Sequence, residues 1–290
     1  MQSIGRDVRR CLHIMLLVGC AECCLSLAKD DKMTPEALIA QHLKSIGSPD
    51  QLAKIQSRIF TGATTVRFVQ GATGEYDGQC QFASDGRKMG IILRYRAQDY
   101  RSEHIAFDGK DVTIKRFTAG GMSPLADFIN SYDGILKEGL LGGVLCVAWP
   151  LKNIQESQPR LKYDKAKLKG RPMHSLEYRP RKGLGDFKIV LFFEPETFRH
   201  VRTEYRLQIS ATSGSGPATN IGIEKPDSYY ILSEEFSDFK EVDGMTLPHR
   251  YTLGVSKEGQ VGTFLGYWTL VAEQWIHNGD INPNIFKTRE

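Results

Sequence analysis

Between residues 58 and 70, Phe60, Val66 and Phe68 fall on one side of an extended chain, and Thr61, Thr65 and Arg67 on the other. A period of two marks a β-strand with one buried face. The pattern recurs at 76–83, 88–95, 112–117, 162–169, 173–179, 198–209, 229–241, 249–256 and 262–276. The strands are punctuated by Gly71-Ala72-Thr73-Gly74, Asp85-Gly86, Asp108-Gly109, Pro195-Glu196-Thr197 and Asp243-Gly244. Such turns predict antiparallel neighbours following one another along the chain. The hairpin at 238–253 is the clearest. Phe236, Phe239 and Val242 lead into Asp243-Gly244, which supplies positive φ, and Leu247-Pro248 restarts an extended run. Tyr251, Leu253 and Val255 then alternate with Arg250, Thr252 and Gly254.

The stretch 186–194 breaks the simple alternation. Phe187, Ile189, Leu191 and Phe193 share one face, while Val190 and Phe192 stand opposite beside Lys188 and Glu194. A strand with one solvated side alternates cleanly, so this one is expected to be central and covered on both faces. Its second face would be covered by the loop 210–226, rich in Ser, Gly, Thr and Ala, or by a partner.

Helical spacing occurs in two places. Thr34-Pro35 places an N-cap before Pro at the first helical position, and Leu38, Ile39, His42, Leu43 and Ile46 follow on one face up to Gly47. Ser48-Pro49-Asp50-Gln51 then has the form of a capping box opening a second short helix. The other place is an insertion at 119–150. There Leu125, Phe128, Ile129, Tyr132, Leu136 and Leu140 predict a helix over 123–139, and the nearly uncharged 140–149 predicts a second, buried one.

The N-terminus is a separate object. Arg6, Arg9 and Arg10 precede an apolar run from Cys11 to Ala28, the layout of an export signal. Two cleavage readings stand side by side. Residues 1–28 form a signal peptide ending in Ser26-Leu27-Ala28, or residues 1–19 form a lipoprotein signal ending in Leu17-Val18-Gly19 before Cys20, which would carry a lipid anchor. Either leaves 29–290 as a single domain. Four of the six cysteines lie in the leader. Cys80 and Cys146 remain, and an oxidising compartment would allow them to pair or leave two buried thiols. The net charge of +4 is too mild for nucleic-acid binding. Lys162, Lys165, Lys167, Lys169 and Arg171 read as a solvated strand face.

Catalytic signatures are missing from the sequence. There is no phosphate-cradling Gly-x-x-x-x-Gly-Lys-Ser/Thr, no Gly-x-Gly-x-x-Gly, no Gly-x-Ser-x-Gly and no His-Glu-x-x-His. No two of the seven His lie within four residues of each other, so no local metal pair is expected. His42 reads as a packed residue, and Glu234-Glu235 and Glu194 with Glu196 read as surface and turn carboxylates. No catalytic residue, metal or cofactor is assigned.

Five stretches carry a resemblance to a known family: SPDQLAKIQS, RIFTGATTVRF, FFEPETFRHVRTEYRL, FSDFKEVDGMTLPHRYTL and IHNGDINPNIFK, in that order over about residues 35–287. Together they resemble the bacterial outer-membrane lipoprotein-sorting proteins and periplasmic lipoprotein carriers. The resemblance implies an α+β, mainly antiparallel protein: an open half-barrel whose concave face is plugged by helices. It implies a non-enzymatic periplasmic or outer-membrane-attached protein that takes a lipid, an acyl chain or a lipidated protein into an apolar cavity. Phe60, Val66, Phe68, Ile91, Leu93, Phe187, Ile189, Leu191 and Phe193 are the expected lining. The competing expectation is a structural envelope lipoprotein that acts through protein contacts and holds no ligand, with those same side chains making ordinary core contacts.

Overall fold

A computed structural model of the chain describes residues 33–115, 121–182, 184–185, 187–209, 228–259 and 262–288. The leader with Cys20 and the loop 210–226 lie outside the described residues.

The described residues contain twelve strands: β1 Ser57–Gln70, β2 Gly74–Asp85, β3 Lys88–Tyr95, β4 Ser102–Phe107, β5 Val112–Lys115, β6 Arg160–Leu168, β7 Arg171–Arg179, β8 Lys188–Phe193, β9 His200–Ile209, β10 Ser228–Val242, β11 Met245–Gly259 and β12 Gly262–His277. They form one open antiparallel sheet in the order β5-β4-β3-β2-β1-β12-β11-β10-β9-β8-β7-β6. Every neighbour but one is also a neighbour in sequence. The exception is β1 with β12, which joins the two ends of the chain at the middle of the sheet, setting Val66 opposite Trp268 and Phe60 opposite Trp275.

This order dictates the rest. The chain meanders out to the edge strand β5, must reach the opposite edge β6, and then meanders back. The connection between the edges is the helical insertion. It contains α3 Pro124–Ser131, α4 Gly134–Lys137, 3-10 turns at Gly143–Leu145 and Pro150–Asn153, and α5 Ile154–Ser157. Leu125, Phe128, Ile129, Ile135, Leu136, Leu140, Leu145 and Trp149 are buried and join the apolar side chains of the sheet in one core. The insertion is therefore the plug of the concave face, as expected for this fold class. Two of its predicted details are corrected. The helix over 123–139 breaks at Tyr132, which leaves helical geometry. The second helix over 140–149 does not form, because Gly139, Gly142 and Gly143 all take positive φ (77°, 84° and 49°), leaving one short 3-10 turn.

The N-terminal helices match their sequence signals. In α1 Pro35–Ile46, Thr34 caps the first turn and Leu38, Ile39, His42 and Ile46 are buried. In α2 Pro49–Lys54 the capping box of Ser48 and Gln51 is complete. The turn Asp243-Gly244 takes positive φ at both residues (49° and 75°), the combination a two-residue hairpin favours.

One strand, β4, has no counterpart among the predicted strands. Its inward positions are Glu103, Ile105 and Phe107, and a charged residue at the first of them hides the period of two. On β8, Ile189, Leu191 and Phe193 face the plug, and Phe192 on the opposite face is only 4% exposed. The second face is thus covered at Phe192, while Val190 is half-buried and Lys188 exposed. The convex face also carries a small core of Ile59, Ala83, Ile285 and Phe286. It forms where the C-terminal 3-10 turn Pro283–Phe286 lies on the sheet. Gly90 permits this, since a Cβ there would come within 2.2 Å of the Ile285 carbonyl oxygen.

Candidate functional site

The nine residues expected to line a cavity all lie on the plugged face. Phe60, Val66, Ile91, Leu93, Ile189, Leu191 and Phe193 are buried in the main core, and Phe68 and Phe187 pack against it half-buried. Phe60 stacks on Phe82 with ring centroids 5.2 Å apart. Phe187 meets Tyr132 and Phe128 of the plug edge-on at 4.9 and 5.9 Å. The buried seven are closed off by core packing, whereas Phe187 borders a groove of about 770 Å³ with Leu184 and Lys188, and Phe68 packs among Tyr76, Tyr100, Phe264 and Trp268.

An irregular segment buried against a sheet leaves peptide groups without helical or sheet partners, and each needs one. Here the sheet supplies them through side chains that sequence reading had placed at the surface or had not singled out. Glu234 is a correction of this kind. It is fully buried on the inward face of β10, between Leu232 and Phe236. Its Oε1 accepts the Gly142 N–H at 2.6 Å and the Tyr251 hydroxyl at 2.6 Å, while Oε2 accepts the Tyr205 hydroxyl at 2.6 Å. Burial pushes its carboxyl up to about 7, against the pull of these three donors. Ser84 Oγ accepts the Val147 N–H at 3.0 Å. Arg58, 3% exposed, donates from Nη1 to the Val144 carbonyl at 2.7 Å and from Nε to His277 Nε2 at 3.2 Å. His277 Nδ1 in turn meets Asp243 at 2.7 Å. Burial lowers the Arg58 guanidinium to about 10. These groups fasten the plug backbone to the sheet.

His42 is packed, as expected of a histidine on an apolar helix face. Its Nδ1–H donates to the Phe198 carbonyl at 2.8 Å, and its ring lies 5.0 Å from both Trp149 and Phe193. His200 completes the cluster, stacked on Trp149 at 5.1 Å. Burial lowers His42 to about 4. It lowers His200 well below its ordinary value, with His42 adding to the effect. Both rings are therefore neutral. No group of three or more His, Cys, Asp or Glu placed to hold a metal ion occurs among the described residues.

Cys80 and Cys146 are both buried and free. The Cys80 thiol lies 3.2 Å from the Ala63 carbonyl and the Cys146 thiol 3.2 Å from the Leu141 carbonyl. The pairing that an oxidising compartment would allow is not made in this structure. Lys162, Lys165, Lys167, Lys169 and Arg171 are exposed at the β6 edge.

A larger groove, of about 1130 Å³, lies elsewhere. It runs between α1–α2 and the plug stretch ending in the second 3-10 turn, with Gly86 of the β2–β3 turn at one side. Its apolar walls include Leu43, Leu52, Ile55, Val147 and Ala148, and its charged lining residues are Lys44 and Lys152. The volume lies slightly above the usual range of small-molecule sites. The Lys152 ammonium is held at the wall by the Val147 carbonyl at 2.7 Å and the Leu52 carbonyl at 3.4 Å. Sequence reading did not single out this groove, because its walls come from three separated segments.

No protein-family model and no curated protein matches the chain. Among solved structures, a LolA superfamily protein from Nitrosomonas europaea is similar, with TM-score 0.45, 14% identity, and 88% of this chain and 98% of that chain covered. MucB of Pseudomonas aeruginosa, solved in complex with MucA, is also similar, with TM-score 0.21, 8% identity, and 84% and 99% covered. The architecture rests on the strand order and register described above.

Proposed function

We propose that this chain is an exported, non-enzymatic envelope protein that binds an acyl chain of a lipid or lipidated protein. In this reading the acyl chain lies in the groove between α1–α2 and the plug. The observation that supports it is the groove itself: open, walled mainly by apolar side chains, and backed by a plug pinned to the sheet. An acyl chain gains about 0.8 kcal/mol per methylene on leaving water, so a wall of this kind supplies the driving force without a catalytic group. The export signal expected at the N-terminus and the resemblance of the five sequence stretches support binding in the periplasm or at the outer membrane. The concave residues Phe60 to Phe193 serve in this reading as the support of the plug.

The test is mass spectrometry of organic extracts from gently purified protein. A lipid enriched over a matched control is expected, and its loss in Leu52→Asp, with the melting temperature kept, would place it in the groove. Absence of any lipid above the control counts against the reading.

A second reading has its own support. The concave face is filled, β5 and β6 have no second strand neighbour among the described residues, and Tyr229 and Tyr267 are exposed on the convex face. These features suit a structural envelope protein that acts through protein contacts. Chemical crosslinking in the native envelope that captures the same partner with or without Leu52→Asp would favour it.

A further inference from the structure

We propose that the groove selects anionic amphiphiles, with the head group of a long-chain carboxylate held by Lys152 and Lys44. This rests on the groove reading above and names its ligand class. Three observations carry it. First, both charged residues of the lining are lysines, with no Asp or Glu among the lining residues. Second, neither lysine forms an ion pair among the described residues. Lys152 is held only by the carbonyls of Val147 and Leu52, two residues of the groove wall, which fixes its ammonium at the surface a ligand would touch. Third, the guanidinium of Arg58 is buried close by, with carbonyl oxygens, a neutral imidazole and the Met245 sulfur as its hydrogen-bond partners.

Burial first, and then the neighbouring charge of Arg58, disfavour the charged form of Lys152. A carboxylate beside Lys152 counters that charge and gives the ammonium an ionised acceptor, the stronger class of hydrogen bond. The chain of such a ligand would lie along Leu43, Leu52 and Ile55. A neutral head gains none of this, and a cationic head adds a third positive charge.

The experiment is titration calorimetry on the delipidated protein with palmitate, hexadecanol and hexadecyltrimethylammonium below their aggregation limits. Palmitate is expected to bind roughly tenfold to a hundredfold more tightly than hexadecanol, the range of a charged hydrogen bond, and the cationic amphiphile most weakly. Lys152→Met is expected to bring palmitate and hexadecanol together. Because Lys152 also ties the plug to α2, Lys44→Gln serves as the second variant, with a smaller loss in the same ratio and an unchanged melting temperature. Equal affinity of wild-type protein for palmitate and hexadecanol overturns the charge selection and leaves the groove reading standing. Binding of none of the three overturns both. A ratio unchanged in both variants would show that the selectivity arises away from these lysines and would also overturn the proposal.

Discussion

Glu234 and Glu235 are adjacent in the chain, yet their carboxylates lie in opposite media. Glu235 pairs with Lys169 and Arg202 on the convex face, whereas Glu234 holds the plug in the core. The alternation of Tyr230, Leu232, Glu234 and Phe236 already put Glu234 on the inward side. So did that of Arg58 with Phe60 and Val66. Residue type argued for the surface and the strand period for the core, and the period was right. A pH dependence follows. With its carboxyl at about 7 against an ordinary 4.5, the folded protein holds a proton between those values that the unfolded chain releases. The stability this provides is complete below about 4.5 and is lost as pH rises toward 7, by about 1.4 kcal/mol per unit. His42 and His200, buried neutral, act in the other direction, and their contribution declines as pH falls below about 6.5. The difference between wild type and Glu234→Gln cancels the histidines. In urea melts, the deficit of the variant is expected to be larger at pH 5 than at pH 7.5. A deficit that is the same at both would show that Glu234 titrates as an ordinary carboxylate.

At the scale of elements, local signals sufficed where an element is closed on itself. The caps of α1 and α2, the Asp243-Gly244 hairpin and the cover over Phe192 on the second face of β8 all follow from a few adjacent residues. They failed at 140–149. An uncharged run there suggested a buried helix, but three glycines at positive φ and partners offered by the sheet allow an irregular backbone to be buried without loss of hydrogen bonds. The C-terminal turn depends on a residue far from it in sequence. Gly90 leaves room for Ile285, and His104 Nε2 lies 2.9 Å from the same carbonyl. Gly90→Val is expected to lift this turn from the sheet and expose Ile285 and Phe286. The cost is roughly 3–6 kcal/mol for two large apolar side chains. Hydrogen exchange over 282–288 should rise toward that of a free tail, and unaltered exchange would show that the sheet accommodates the valine.

For the molecule as a whole, the pairing of β1 with β12 is the closing step of the topology. It joins segments near opposite ends of the folded chain, so its loop must be closed before its contacts repay the entropy. Trp268 reports it, being buried opposite Val66 and donating to Tyr100 and Glu103 at 2.6 and 3.0 Å. In a Trp149→Phe, Trp275→Phe background, Trp268 fluorescence is expected to recover in the slowest refolding phase, after most of the far-ultraviolet circular dichroism. Recovery in the earliest phase would place this pairing in the folding nucleus instead.

The sequence by itself determined the antiparallel class, the strand faces, the helix caps and the helical interruption, because each depends on side chains within a few residues of one another. The strand order, the packing of the concave face and the groove beside α1–α2 were decided only by tertiary structure. They depend on which distant segments meet. The apolar residues expected to line a cavity are the same residues that a plug would cover, and periodicity is blind to that difference. Only the joining of the two sheet edges across the concave face, with Glu234, Ser84 and Arg58 holding the crossing segment, turned that face into core and left the open apolar surface outside it.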